Sequence, residues 1–228
     1  MAGFRTELTV TSSFDPIDHQ SGVLTIGSCF SDTIGNALVS NKFRALVNPF
    51  GTVYNPISIH RQLQRSAHDV VPGKEELIQN GTLWAHPDYH SRFNNLSDEV
   101  VIESIRKTTH SAYTMLRGCK TIVITYGTAK VFELASTGEV VANCHKLPGR
   151  QFRQRLLSVE EIETDFKNLY PILRKLGVRQ FILTVSPVRH LSDTLELNSV
   201  SKSVLRLACH RMSSAGTDIT YFPAYEIM

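Results

Sequence analysis

Hydrophobic and polar positions divide this chain into two kinds of segment. Short apolar runs, such as "GVLTIG" at 22–27 and "KTIVITYG" at 120–127, are bounded by turn residues and are typical of buried parallel strands. Between such runs apolar residues recur at helical spacing, as in 97–119, where Ser97 is a predicted N-cap and Gly118 a predicted end. The pattern therefore predicts strands and helices in alternation.

The predicted elements give an α/β fold with a mostly parallel sheet. Strands are predicted at 22–27, 43–51, 120–127, 178–187 and 218–225, and helices after Gly27 and at 55–69, 97–119, 158–177 and 198–216. Two excursions interrupt this order: a hairpin or long loop near 80–95 and a β-hairpin near 130–145. One domain is expected over residues 1–228.

Residues with capping side chains set the expected helix boundaries. Ser31 and Asp32 are predicted to cap the first helix, and Asn55 the second. Ser158 forms a predicted capping box at the start of 158–177, and Pro171 is expected to kink or split that helix.

Composition and charge narrow the function classes. The 228 residues carry a formal charge of +3 without a dense basic tract, which argues against a nucleic-acid partner. The basic stretches at 149–155 and 206–211 are expected to be solvated faces of helices or loops. No apolar run approaches the roughly 18 residues of a membrane span, so no membrane partner is expected. The four cysteines form no C-x-x-C pair, so neither a zinc ribbon nor a disulfide framework is expected, and we interpret the chain as cytoplasmic with reduced thiols. No cofactor is expected.

Parallel sheets bind ligands beyond the C-terminal ends of their strands, so those ends are the candidate site. Ser28 follows the first strand and opens a helix, where free backbone N–H groups favour an anion. We predict Ser28 as a nucleophile, with its own N–H, the Gly51 N–H and the Thr128 hydroxyl as oxyanion donors. The alternative for Ser28 is a purely structural N-cap. Cys29 is a second candidate nucleophile.

At these residues the chain resembles the GSCFA family, which is grouped with the SGNH, or GDSL-like, hydrolases. The motif "GSCF" at 27–30 carries the resemblance, together with "NPFG", "HSRF", "ITYGTAKVF", "TVSPVRHLSD" and "YFPAYEIM". It implies a flavodoxin-like three-layer α/β/α fold. It also implies that Ser28 is the nucleophile and that Gly51, after the second strand, is an oxyanion-hole donor. The family's other oxyanion donor is an Asn after the third strand, in a Gly-x-Asn motif. Here that motif reads Gly127-Thr128-Ala129, so Ala129 replaces the Asn.

The base that the resemblance implies belongs to a D-x-x-H motif, and this chain contains none. We therefore expect a chain truncated at its C-terminus, without the family's last helix. Without that helix, strand 218–225 would expose part of its apolar surface to solvent. Exposed apolar surface drives association, so a homo-oligomer is expected. His190, just past a strand end, is the expected substitute base, and Asp193 could orient it.

Other residues on the strand ends and excursions are predicted to contact substrate. They are Cys29, Asn48, Asn55, His90, Arg92, Gly127, His145 and Arg189. A metal site built from His86, His90 and His145 is not predicted, because no ligand spacing supports it. The leading hypothesis is a serine esterase or acyltransferase acting on an O-acylated sugar or small metabolite. Because the D-x-x-H base is missing, the chain as given is expected to have little or no esterase activity unless another residue supplies the base. The alternative is a non-catalytic ligand- or protein-binding module on the same fold.

Overall fold

The computed structural model describes residues 15–189 and 194–227. The ten strands of this part are β1 (Gly22–Gly27), β2 (Ala45–Val47), β3 (Ile78–Asn80), β4 (Leu83–Ala85), β5 (Cys119–Tyr126), β6 (Lys130–Leu134), β7 (Val140–Val141), β8 (Phe152–Leu156), β9 (Gln180–Val185) and β10 (Ile219–Phe222). Its six α-helices are α1 (Cys29–Ser40), α2 (Pro56–Ala67), α3 (Asp98–Gly118), α4 (Val159–Leu176), α5 (Leu195–Ser214) and α6 (Ala224–Ile227).

Five strands form the central sheet in the order β10-β9-β5-β1-β2, and every pair is parallel. Read from the β2 edge in chain order, this is the 2-1-3-4-5 arrangement of flavodoxin-like folds. The predicted five-stranded parallel sheet is confirmed. This order puts β1 between β2 and β5, so the C-terminal ends of these three strands lie side by side.

Alternate strand residues point to two differently covered faces. Leu24, Ile124 and Leu183 belong to the large core that α2, α3, α4 and α5 share. Val23 and Val123, on the opposite face, pack in a smaller cluster with residues that include Leu38 of α1. Helices therefore flank the sheet on both sides, as a three-layer α/β/α fold requires.

The two excursions are β-structures. A two-residue turn, Gly81-Thr82, joins β3 to β4 in a hairpin, and Gly81 has a φ of +60°. The second excursion is a three-stranded antiparallel sheet, β7-β6-β8. The expectation that 149–155 lies on a helix face or loop is wrong for most of this stretch, because Phe152–Leu156 is β8. Pairing with β6 holds these basic residues, and Arg155 forms ion pairs with Glu133 at 2.5 Å and Glu161 at 2.8 Å.

Helix caps agree with the sequence at three helices. Asn55, Ser97 and Ser158 each accept a backbone N–H at the N-terminus of their helix. Helix α4 runs unbroken through Pro171, so the predicted split is wrong. Within residues 15–189 and 194–227, no helix is long and apolar enough to cross a membrane.

Candidate functional site

The turn between β1 and α1 presents Ser28 at the sheet edge. Gly27 adopts a φ of +131°, and the Ser28 N–H donates to the Thr125 carbonyl of β5 at 3.0 Å. Ser28 is the N-cap of α1, since its Oγ accepts the Phe30 N–H at 3.3 Å. The predicted cap at Ser31 and Asp32 is therefore wrong, because the helix begins three residues earlier. Ser28 is fully buried, whereas Cys29 is partly exposed.

Asn48 ties the end of β2 to this turn. Its Oδ1 accepts the Gly27 N–H at 2.8 Å, and its Nδ2 donates to the Ser28 carbonyl at 3.3 Å. The backbone of Asn48 is left-handed, with a φ of +37°, which Asn tolerates better than most residues. The predicted substrate contact Asn48 thus fixes the backbone on both sides of the Gly27–Ser28 peptide.

All three predicted oxyanion donors are hydrogen-bonded within the chain. The Ser28 N–H is bound to Thr125, and the Gly51 N–H donates to the Asn48 carbonyl at 2.8 Å. The Thr128 hydroxyl lies 3.0 Å from the Ser201 hydroxyl and accepts the Lys130 N–H at 3.0 Å. An oxyanion at this site would have to compete with these partners.

The first excursion reaches the strand ends. A Cβ on Gly51 would stand 2.6 Å from the Cβ of His90, so only glycine lets His90 pack there. His90 Nδ1 accepts the Arg92 N–H at 3.1 Å. The Arg92 guanidinium donates to the carbonyls of Pro49 and of Asn48, the latter at 3.4 Å. Burial lowers the pKa of Arg92, although nearby Asp32 opposes this. The structure therefore brings His90 and Arg92 to the end of β2.

Tyr54 lies between the β2 and β5 ends, and sequence reasoning missed it. Its carbonyl accepts the N–H groups of Gly127 at 2.8 Å and Thr128 at 3.1 Å. A Cβ on Gly127 would lie 2.7 Å from the Tyr54 ring. Burial raises the pKa of Tyr54, and electrostatic interactions with Cys29 and Asp32 act in the same direction.

The remaining predicted site residues lie elsewhere or have structural partners. Asn55 caps α2 and donates to the Val141 carbonyl at 3.1 Å. His145 is buried in the excursions, with Nε2 2.9 Å from the His86 carbonyl, and burial lowers its pKa. Arg189 is exposed just past β9. His190 and Asp193 lie outside the described residues.

Lys202 of α5 is the second residue that sequence reasoning missed. Its Nζ donates to the Gly127 carbonyl at 2.7 Å and to the Ser186 carbonyl at 2.8 Å, and the residue is 1% exposed. Helical spacing could have indicated its burial, because Lys202 lies on the same face of α5 as Asn198, Leu205 and Cys209, all of which are buried.

We expect His86 to make the protein acid-sensitive. Burial lowers the pKa of His86 to about 4 from its ordinary 6.5, although Asp88 and Glu76 oppose the shift. His86 Nδ1 accepts the Asp88 N–H at 3.0 Å, so the folded state holds a neutral ring. Between pH 6.5 and 4 the His86 ring is protonated in the unfolded state but remains neutral in the folded state. The free energy of unfolding therefore decreases as the pH falls, by about 3 kcal/mol over the whole range. Urea unfolding of wild type and His86→Asn at pH 7, 5.5 and 4 should show wild type losing more; parallel losses would contradict this.

Among the described residues, no group of three or more His, Cys, Asp or Glu side chains could hold a metal ion.

Comparison with known proteins gives one match, to a protein family. Searches of curated proteins and of solved structures found no significant match. The profile of the GSCFA family matches residues 22–228, which include the turn, the strand ends and Lys202. The chain belongs to the GSCFA family.

Proposed function

We propose that this protein is an SGNH-type serine esterase or acyltransferase that forms an acyl-enzyme on Ser28. Its substrate would be an O-acylated sugar or small metabolite. The four cysteines of the chain are free thiols, which fits the cytoplasmic location that we propose with this function.

The observation that carries the proposal is the convergence of strand ends on the β1–α1 turn. Ser28 caps a helix of 12 residues. Its N–H donates to Thr125 of β5, and its carbonyl accepts a hydrogen bond from Asn48 at the end of β2. A nucleophile held in this way, at a helix N-terminus, can develop negative charge at low cost. In the SGNH hydrolases that the chain resembles, the nucleophilic Ser follows the first strand, and Ser28 follows β1 of a 2-1-3-4-5 sheet.

Turnover would require the site to rearrange, because Ser28 is buried and the N–H groups of Ser28 and Gly51 already donate to backbone carbonyls. The hydrogen bond from the Phe30 N–H to Ser28 Oγ is long at 3.3 Å, so little would be lost when Oγ turns toward a substrate. Apo hydrogen bonds in active sites often reorganise when a substrate binds.

A binding module is the second candidate, and the internal engagement of all three donors favours it. In that case Ser28 would serve only as the cap of α1, and the partly exposed Cys29 would be a ligand contact. The two functions differ in one outcome, the chemical turnover of an ester.

Hydrolysis of p-nitrophenyl acetate separates these candidates. We expect turnover by wild type, a loss of about 10³-fold or more in kcat for Ser28→Ala, and near wild-type rates for Cys29→Ser. A Cys29-dependent rate would move the nucleophile to the thiol. The same slow rate from wild type and Ser28→Ala would leave the binding module as the better function.

A further inference from the structure

Lys202 is a buried amine with two acceptors. Its Nζ donates to carbonyls at the ends of two adjacent strands, Gly127 after β5 at 2.7 Å and Ser186 after β9 at 2.8 Å. No carboxylate of the described residues lies within 4.0 Å of this Nζ. The buried group therefore has hydrogen-bond partners without a paired negative charge.

The number of acceptors matches the neutral form of the side chain. A lysine ammonium has three N–H donors, whereas the neutral amine has two and a lone pair. Two carbonyls satisfy the neutral amine completely and leave its lone pair free. Burying an unpaired ammonium is costly, so this environment favours loss of its proton.

The site of this amine is adjacent to the nucleophile turn. The Ser28 N–H bonds to Thr125, two residues before the Gly127 whose carbonyl binds Lys202. Strand β5 is the neighbour of β1 in the sheet, so Ser28 and Nζ bond to the end of the same strand, Ser28 from the β1 side and Nζ from the β9 side. Two other titratable groups face it: Cys29 of α1 acts on it electrostatically, and the Tyr225 ring of α6 is centred 5.9 Å from Nζ.

We propose that Lys202 is the general base of this site and takes the proton of Ser28, directly or through one water. This role rests on the function proposed above. The Ser28 Oγ–H proton passes to the Nζ lone pair as Oγ bonds to the ester carbonyl carbon, whose oxygen takes the negative charge. Collapse of that intermediate breaks the bond to the alcohol oxygen, which receives the proton from the Lys202 ammonium. Water or an acceptor alcohol then gives its proton to Nζ and attacks the acyl group, and the ammonium returns a proton to Ser28 Oγ.

The lowered pKa of the Lys202 amine suits a general base. Burial lowers the pKa of Lys202 from 10.5 to about 8, with Cys29 opposing the shift. A base with a pKa near the working pH is partly deprotonated and still basic enough to accept a proton. The rate of Ser28 modification should therefore rise with pH through about 8 and then level off.

The test is the pH dependence of covalent labelling of Ser28 by a fluorophosphonate between pH 6.5 and 9.5, which needs no natural substrate. Lys202→Arg keeps the charge and the donors but is not deprotonated, and Lys202→Met serves if the larger side chain prevents folding. Lys120→Arg is the control at an exposed lysine. We expect labelling of the folded Lys202 variants to be about 10²–10⁴-fold slower, without the rise near pH 8.

Each other outcome counts against the proposal. Wild-type rate and pH profile in a folded Lys202 variant would overturn the role of Lys202 and leave the esterase proposal standing. Loss of the pH dependence in His190→Asn alone would assign the base to His190. Absence of labelling in wild type would remove the proposed function and the role of Lys202 together.

Discussion

Gly27→Ala should destabilise the protein by more than about 4 kcal/mol, enough to unfold many domains. A Cβ at this position would stand 2.1 Å from the Thr125 carbonyl oxygen, the atom that accepts the Ser28 N–H. The backbone of Gly27 also has a φ of +131°, a conformation that costs other residues about 1–3 kcal/mol. Relief of the contact would require β1 and β5 to separate at the site. Urea denaturation, or the loss of soluble folded protein, measures the effect.

Gly177→Ala is the matched control for this substitution. Gly177 has a similar φ of +114° at the end of α4, yet an added Cβ there would meet no atom within 4 Å. It should therefore show only the backbone cost of about 1–3 kcal/mol. Equal destabilisation by the two alanines would contradict the claim that the close approach of β5 shapes the Ser28 turn.

His60→Leu should lower the free energy of unfolding by about 3 kcal/mol, because it removes two buried hydrogen bonds next to the site. His60 is fully buried, with Nδ1 2.6 Å from an Asp165 carboxylate oxygen and Nε2 2.7 Å from the Tyr126 hydroxyl. With Nδ1–H donating to Asp165, Nε2 accepts the Tyr126 O–H. Leucine would leave that buried hydroxyl without its partner at the last residue of β5, and an unsatisfied buried group is costly.

A double-mutant cycle with Tyr126→Phe tests this explanation. Phenylalanine removes the hydroxyl that His60→Leu leaves unsatisfied, so the double variant should be more stable than the sum of the two single losses predicts. The difference should be on the order of 1–2 kcal/mol in urea unfolding. Strictly additive losses would show that the Tyr126–His60 hydrogen bond contributes little.

Much of the fold was predictable because its information is local. Buried parallel strands require continuous apolar runs, and helices require periodic ones, so β1, β5 and the capped helices could be identified from the chain. β8 was missed because its basic residues are stabilised by partners on β6 and α4. The cap of α1 was misjudged because Ser28, Ser31 and Asp32 are all good caps, and only the bond from the Phe30 N–H chooses between them.

The candidate site was only partly predictable because its contacts link distant residues. The predicted strand ends put Ser28, Asn48 and Gly127 at the same edge of the sheet, where the structure has them. It could not indicate that Lys202, 75 residues after Gly127, would bind that carbonyl, or that Asp165 would reach His60 across 105 residues. Helical spacing gave Lys202 a buried position, but the identity of its acceptors depends on the packing of α5 against β9.

Mass spectrometry after fluorophosphonate treatment tests the central claim most directly, since that claim is a nucleophilic Ser28. We expect one adduct per wild-type chain, located by fragmentation on Ser28 rather than on Cys29 or Ser31, and no adduct on folded Ser28→Ala. Folded wild-type protein without an adduct, or an adduct that persists in Ser28→Ala, would contradict it.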